Sequence, residues 1–144
     1  MRLTRYTDYA LRVLMYLGLK PAGELATIKE IAARYAISEN HLMKVVHRLG
    51  RDGYIETLRG RQGGMRLAQD PAAINLGEVV RRCEDDMSLV ECFDPETNTC
   101  PIAGACALPA VLDEALAAFL GVLERHTLAD LLVPRRGLAK ILVP

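Results

Sequence analysis

Between residues 27 and 68 the sequence sets two short helix-forming stretches three residues apart and follows them at once with a glycine-rich hairpin, an order few folds accommodate. Thr27-Ile28-Lys29-Glu30 has the Thr-x-x-Glu form of a capping box, in which each side chain accepts from the other residue's backbone N–H. It opens a helix with Ile28, Ile31 and Ala32 on its apolar face, ending near Tyr35. Ser38 caps the next helix, whose buried stripe is Leu42, Val45, Val46 and Leu49 and which Gly53 stops. The turn Ala36-Ile37-Ser38 makes the pair a helix-turn-helix, with Ile37 as its apolar plug. Strands are predicted at Tyr54 to Leu58 and Met65 to Ala68, around the tip Arg59-Gly60-Arg61-Gln62-Gly63-Gly64. The expected fold is therefore mainly α with a small β-hairpin wing: a winged helix-turn-helix domain, to which later segments are attached.

On either side of this unit the pattern is helical. A first helix is predicted from an N-cap at Thr7 to about Leu19, with Ala10, Val13, Leu14 and Leu17 inward, before Pro21 and Gly23 break it. Asn75 opens a short helix through Val79, Val80 and Cys83, and Pro109 a long one running to about His126. Thr127-Leu128-Ala129-Asp130 starts another short helix, and the tail from Val133 carries no readable motif. With 144 residues the chain holds one compact core and an accessory element. The expected division is a winged domain over 1–82, a loop over 83–107, a long helix over 108–127, and a short helix with tail over 128–144. No apolar run reaches the roughly 18 residues of a membrane span. Asp8 and Arg12 interrupt what would otherwise resemble a leader, so a cytoplasmic protein is expected.

The net charge of zero hides a split. Residues 1–70 hold 12 Lys and Arg against 7 Asp and Glu, and residues 71–144 hold 6 against 11. Chance segregation of solvated charge gives such a pattern, and so does a nucleic-acid-binding module joined to a sensing or assembly module. The helix opened by Ser38 leans toward the second reading. With its apolar stripe turned inward, Asn40, His41, Lys44, His47 and Arg48 remain on the outer surface, donors suited to base edges and phosphates in the major groove. Ser38 at its start, and Arg59, Arg61 and Gln62 on the wing tip, complete the candidate contacts to double-stranded DNA. Each cation alone is equally an ordinary solvated charge; their joint placement favours DNA.

Residues 84–108 carry six acidic side chains, no basic ones, and three of the four cysteines. Cys92, Cys100 and Cys106 are separated by seven and then five residues, in a stretch punctuated by Pro95, Pro101 and Gly104. A disulfide framework does not suit a cytosolic chain, and structural zinc calls for paired short spacings that are absent here. A loosely spaced thiolate trio suits an iron–sulfur cluster, with a fourth ligand from elsewhere. Cys83 is a candidate for that place, although a cysteine on the last turn of a helix is more simply a small buried apolar residue. A cofactor-free redox switch, in which the three thiols form reversible disulfides, stays open.

Leu112, Leu116, Phe119, Leu123 and His126 recur at coiled-coil spacing over roughly 27 Å of helix, at 1.5 Å per residue. Val111, Ala115, Leu120 and Val122 make the opposite side apolar as well, too much for one covering partner. The expectation is a homodimer, with Leu112, Leu116, Phe119 and Leu123 as its seam, placing two reading helices over a palindromic site. No Ser/His/Asp set, phosphate-binding glycine loop or HExxH pattern supports catalysis.

The run Met1 to Arg12, the wing tip, the three-cysteine loop and Thr127-Leu128-Ala129-Asp130-Leu131 together resemble the nitric-oxide-sensing NsrR-type repressors, in the winged-helix family that also contains the IscR type. The resemblance spans nearly the whole chain. It implies a dimeric repressor with one [4Fe-4S] cluster per subunit, or a [2Fe-2S] form, that releases DNA when nitric oxide attacks the cluster. It also implies Cys92, Cys100 and Cys106 as ligands, and Asp8 of the partner subunit as the fourth. No histidine follows Cys106, where IscR-type sequences carry a ligand, so a regulator of the IscR type fits less well.

Overall fold

The computed structural model describes residues 2–142. Its elements are α1 (Arg5–Leu19), α2 (Ile28–Tyr35), α3 (Glu39–Arg51), β1 (Ile55–Leu58), β2 (Gly64–Leu67), α4 (Leu76–Cys83), α5 (Leu108–Glu124), α6 (Leu128–Leu131) and α7 (Arg135–Leu142), with 3-10 turns at Pro71–Ala73 and Glu91–Phe93. None of these helices is long and apolar enough to cross a membrane.

The capping box at Thr27 and Glu30 forms as expected, and Ser38 caps α3 by accepting from the His41 N–H at 3.4 Å. Between them Ala36 takes the left-handed conformation (φ 53°), which turns the chain sharply enough to drop Ile37 into the core. Leu42, Val45, Val46 and Leu49 are buried beneath α3. Strands β1 and β2 pair antiparallel, with Ile55 opposite Leu67 and Leu58 opposite Gly64. The sequence does not announce the contact at the base of this wing, where Ala26 and Met65 exchange backbone hydrogen bonds of 2.8 and 2.9 Å and tie the hairpin to the entry of α2. At the tip a Cβ on Gly63 would meet the Leu58 carbonyl oxygen at 2.4 Å, so the turn needs glycine there.

Helix α1 is the spine of the core. Ala10, Val13, Leu14 and Tyr16 are fully buried, and α3, α4, α6, α7 and β2 pack around it. Its N-cap is Thr4, not Thr7 as the sequence suggested: Thr4 Oγ1 accepts from the Thr7 N–H, and Thr7 lies a turn inside, completely buried. Both threonines satisfy the sequence rule for a cap, and a tertiary partner for the Thr7 hydroxyl decides between them. The tail that showed no motif forms α7, and the Arg135 guanidinium donates to the Gly18 and Leu19 carbonyls at 3.2 and 3.1 Å, closing the end of α1.

Helices α4 and α5 hold the two ends of the loop. They approach closely at Gly77, where a Cβ would lie 3.0 Å from the Glu124 backbone nitrogen. Asn75 Nδ2 donates to the Glu124 carbonyl at 2.7 Å, and the Arg81 guanidinium pairs with the Glu124 carboxylate. Leu120 is the one side chain of α5 that is fully buried. The expected seam residues Leu112, Leu116, Phe119 and Leu123 are half-buried, whereas Leu108, Val111, Ala115, Ala118 and Val122 form an exposed stripe.

Candidate functional site

Two chemically different surfaces meet at the C-terminus of α4. The first is the outer face of α3 and the wing. Ser38, Asn40, His41, Lys44 and His47 are exposed along α3, as are Arg59, Arg61 and Gln62 at the hairpin tip, where Gly60 adopts a φ of 119° that other residues rarely take. The Arg66 and Glu56 side chains pair across the hairpin, leaving the tip cations free of that contact. Arg48 differs from the rest. It donates to the Arg82 carbonyl at 2.6 Å and reaches Asp85 and Asp52 at 3.4 and 3.7 Å, so it is held within the chain and is not free on the surface as the sequence reading had it.

The second surface is the loop 84–107. Cys92 sits on the 3-10 turn, the Cys100 N–H donates to Asn98 Oδ1 at 3.0 Å, and Cys106 lies just ahead of α5. All three thiols are free and half-buried. Short side-chain turns shape the loop: Asp86 accepts from the Ser88 N–H, and Asp94 from the Glu96 N–H and the Thr97 hydroxyl, bonds that hold the Asp94 carboxyl below its usual range. Among the described residues no three His, Cys, Asp or Glu side chains converge on one metal position. A [4Fe-4S] cluster does not require that convergence, because each of its four irons takes a different protein ligand. Three free, soft thiols in an irregular acidic loop fit such a group as a donor set. Cys83 does not belong with them: it is buried in the core, and burial pushes its thiol up to about 11.

Asp8 lies in the first turn of α1, half-exposed, and both carboxylate oxygens meet Arg12, at 2.9 and 2.8 Å. The Arg12 guanidinium in turn rests 5.9 Å from the Tyr9 ring and 5.8 Å from the Tyr35 ring. The structure thus fixes Asp8 on α1 and does not gather it with the cysteines of its own chain.

The family model Rrf2, described as iron-dependent transcriptional regulator, matches residues 3–134. The chain belongs to the Rrf2 family. It is 56% identical over 142 residues to the HTH-type transcriptional regulator NsrR of Bacillus subtilis, covering 99% of this chain and 97% of that one. Among solved structures it is similar to CymR, the global cysteine regulator of B. subtilis, at 27% identity and a TM-score of 0.73, covering 91% of this chain and 95% of that chain. IscR of T. potens shares the fold at 23% identity with the same TM-score, covering 92% and 86%. As an Rrf2 regulator the chain is a DNA-binding transcription regulator and not an enzyme.

Within this Rrf2 chain the junction between the two surfaces was not visible in the sequence. Glu84, the first residue of the loop, accepts from the Thr4 N–H at 2.8 Å and from the Thr4 and Thr7 hydroxyls at 3.1 and 2.5 Å. The next residue, Asp85, reaches Arg48 on α3. The loop is therefore anchored at its start to the turn of α1 that carries Asp8 and to α3. The only sequence signal was the acidic run Glu84-Asp85-Asp86 directly after α4, which reads equally as a solvated loop entry.

Proposed function

We propose that this Rrf2 regulator is a homodimeric repressor that carries one [4Fe-4S] cluster per subunit, binds a palindromic operator while the cluster is intact, and releases it on exposure to nitric oxide. The observation that carries the reading is a loop of three free thiols in a chain 56% identical over its length to a regulator named NsrR. Cys92, Cys100 and Cys106 would hold the cluster, with Asp8 of the partner subunit as fourth ligand. When bound, the cluster would supply the iron that reacts with nitric oxide.

The chain's own residues account for how that state reaches DNA. Serving as a ligand would take the Asp8 carboxylate out of its pair with Arg12, whose guanidinium also rests against the Tyr9 and Tyr35 rings. Asp8 leads α1, and Glu84 and Asp85 link the start of α1 and the flank of α3 to the loop. A shift of the loop thus moves both helices, changing the separation of two recognition helices across the dimer. On each subunit Ser38, Asn40, His41 and Lys44 read the major groove, and Arg59, Arg61 and Gln62 grip the backbone beside it. Arg48 sets the position of α3. The dimer forms along α5, whose exposed stripe Leu108, Val111, Ala115, Ala118 and Val122 lies beside the half-buried seam Leu112, Leu116, Phe119 and Leu123.

The test is iron and acid-labile sulfide analysis of anaerobically prepared protein, with particle mass and operator binding measured on the same sample. Four iron and four sulfide per subunit in a dimer that binds DNA are expected. Two of each indicate the [2Fe-2S] form, and colourless protein that leaves DNA on thiol oxidation establishes the cofactor-free switch instead.

A further inference from the structure

The outer face of α3 carries one large apolar side chain that none of the proposed DNA contacts uses. Met43 is 50% exposed, and among the described residues of 2–82 only Leu58, at 40%, is a comparably exposed large apolar residue. The other exposed ones, from Ile102 and Leu108 to Val133 and Ile141, lie beyond residue 100, on the loop, α5 and the C-terminal segment. A single exposed methionine is unremarkable in general; this one is set apart by its neighbours. It stands one helical turn from Asn40 and from His47 and next to Lys44, all exposed, and it lies on the α3 side of a cleft of about 710 Å³ whose other side carries Glu84, Asp85 and Asp86. Long helical side chains lean back over the preceding turn, so Met43 and Asn40 share one patch.

In the major groove the thymine C5-methyl is the apolar group that a base pair displays, and an asparagine amide pairs with the N6 and N7 edge of adenine. We infer that Met43 reads a thymine methyl group in each half-site, beside the base edge that Asn40 reads. The unbranched, polarizable thioether, with three rotatable bonds, suits contact with a methyl whose position shifts with local DNA geometry. The inference rests on the proposed seating of α3 in the major groove and adds to it a specificity-determining residue.

The test uses a duplex selected from a random-sequence pool by the cluster-loaded protein itself. Each thymine is then replaced, symmetrically in both half-sites, by uracil, which lacks only the methyl group. At one position the unsubstituted protein is expected to lose about fourfold in affinity per half-site, the value of one buried methyl-sized group. Met43→Ala, a replacement favourable to an exposed helix, binds the thymine duplex more weakly and shows no further loss with uracil at that position. Met43→Leu regains the sensitivity. Helical circular dichroism and cluster absorbance confirm that the variants are folded and loaded. A uracil penalty that persists in full in Met43→Ala, or no penalty at any position in the unsubstituted protein, overturns the inference while leaving DNA binding intact. Failure of the selection to enrich any sequence overturns the DNA-binding reading itself, and this inference with it.

Discussion

The Thr7 hydroxyl donates a 2.5 Å hydrogen bond to Glu84 Oε1, joining the turn of α1 that carries Asp8 to the first residue of the three-thiol loop. Thr7 is completely buried, and its hydroxyl finds two partners there, the Glu84 carboxylate and, at 3.1 Å, Thr4 Oγ1. Glu84→Ala is expected to lower stability by about 1.5–3 kcal/mol, the worth of a hydrogen bond to a charged group. Thr7→Val in the same background should cost little more, since the bond is already gone. Chemical denaturation of the two single variants and the double variant measures this; additive losses would show that the pair does not act as a unit.

Arg48 and Arg61 should separate cleanly. Arg61→Ala is expected to reduce the salt dependence of operator binding by roughly one unit of slope, because one phosphate is no longer neutralised, with the melting temperature unchanged. Arg48→Ala removes the bonds to the Arg82 carbonyl and Asp85 and the cation beside the largely buried Asp52 carboxylate, and should lower the melting temperature instead. Operator titrations at several salt concentrations, beside thermal melts, distinguish the two.

The winged domain was legible because its signals are local. A capping box, a Ser38 cap, a helical stripe and a glycine-rich tip each occupy a few adjacent residues, and each forms as read. What the sequence hid depends on partners far along the chain. Thr4 and Thr7 are equivalent as caps until Glu84, 77 residues beyond Thr7, selects between them. The same holds for Ala26 against Met65, for Arg135 closing α1, and for Arg48, whose outward position on α3 gave no sign that Arg82 and Asp85 engage it. The cysteine trio stood out by composition and spacing, while its junction to α1 and α3 did not.

Cys83 yields a pH prediction with a definite sign. In the unfolded chain a thiol gives up its proton near 9, whereas burial holds that of Cys83 up to about 11. Between those values the unfolded state binds fewer protons, so stability is fully present below pH 9 and falls as the pH rises to about 11. Melting temperatures of cluster-free protein should drop across that window, and less steeply for Cys83→Ala. That variant should still take up a cluster, whereas Cys92→Ala, Cys100→Ala and Cys106→Ala should not. Equal slopes in the two proteins would remove Cys83 as the cause.

Ligation across the dimer is tested by mixing subunits. In a heterodimer of one Asp8→Ala chain and one Cys92→Ala chain, the subunit with intact cysteines receives its aspartate only if the partner supplies it. One cluster per dimer with the unsubstituted protein's spectrum is expected. A spectrum matching the Asp8→Ala homodimer would place the aspartate within its own chain.

The most direct measurement follows operator affinity and cluster absorbance together while nitric oxide is added anaerobically to the loaded dimer on its DNA. Both are expected to fall in step, the nitrosylated protein to retain only weak, salt-sensitive binding, and cluster-free protein to behave the same way. Undiminished operator affinity after the cluster absorbance has gone would contradict that expectation.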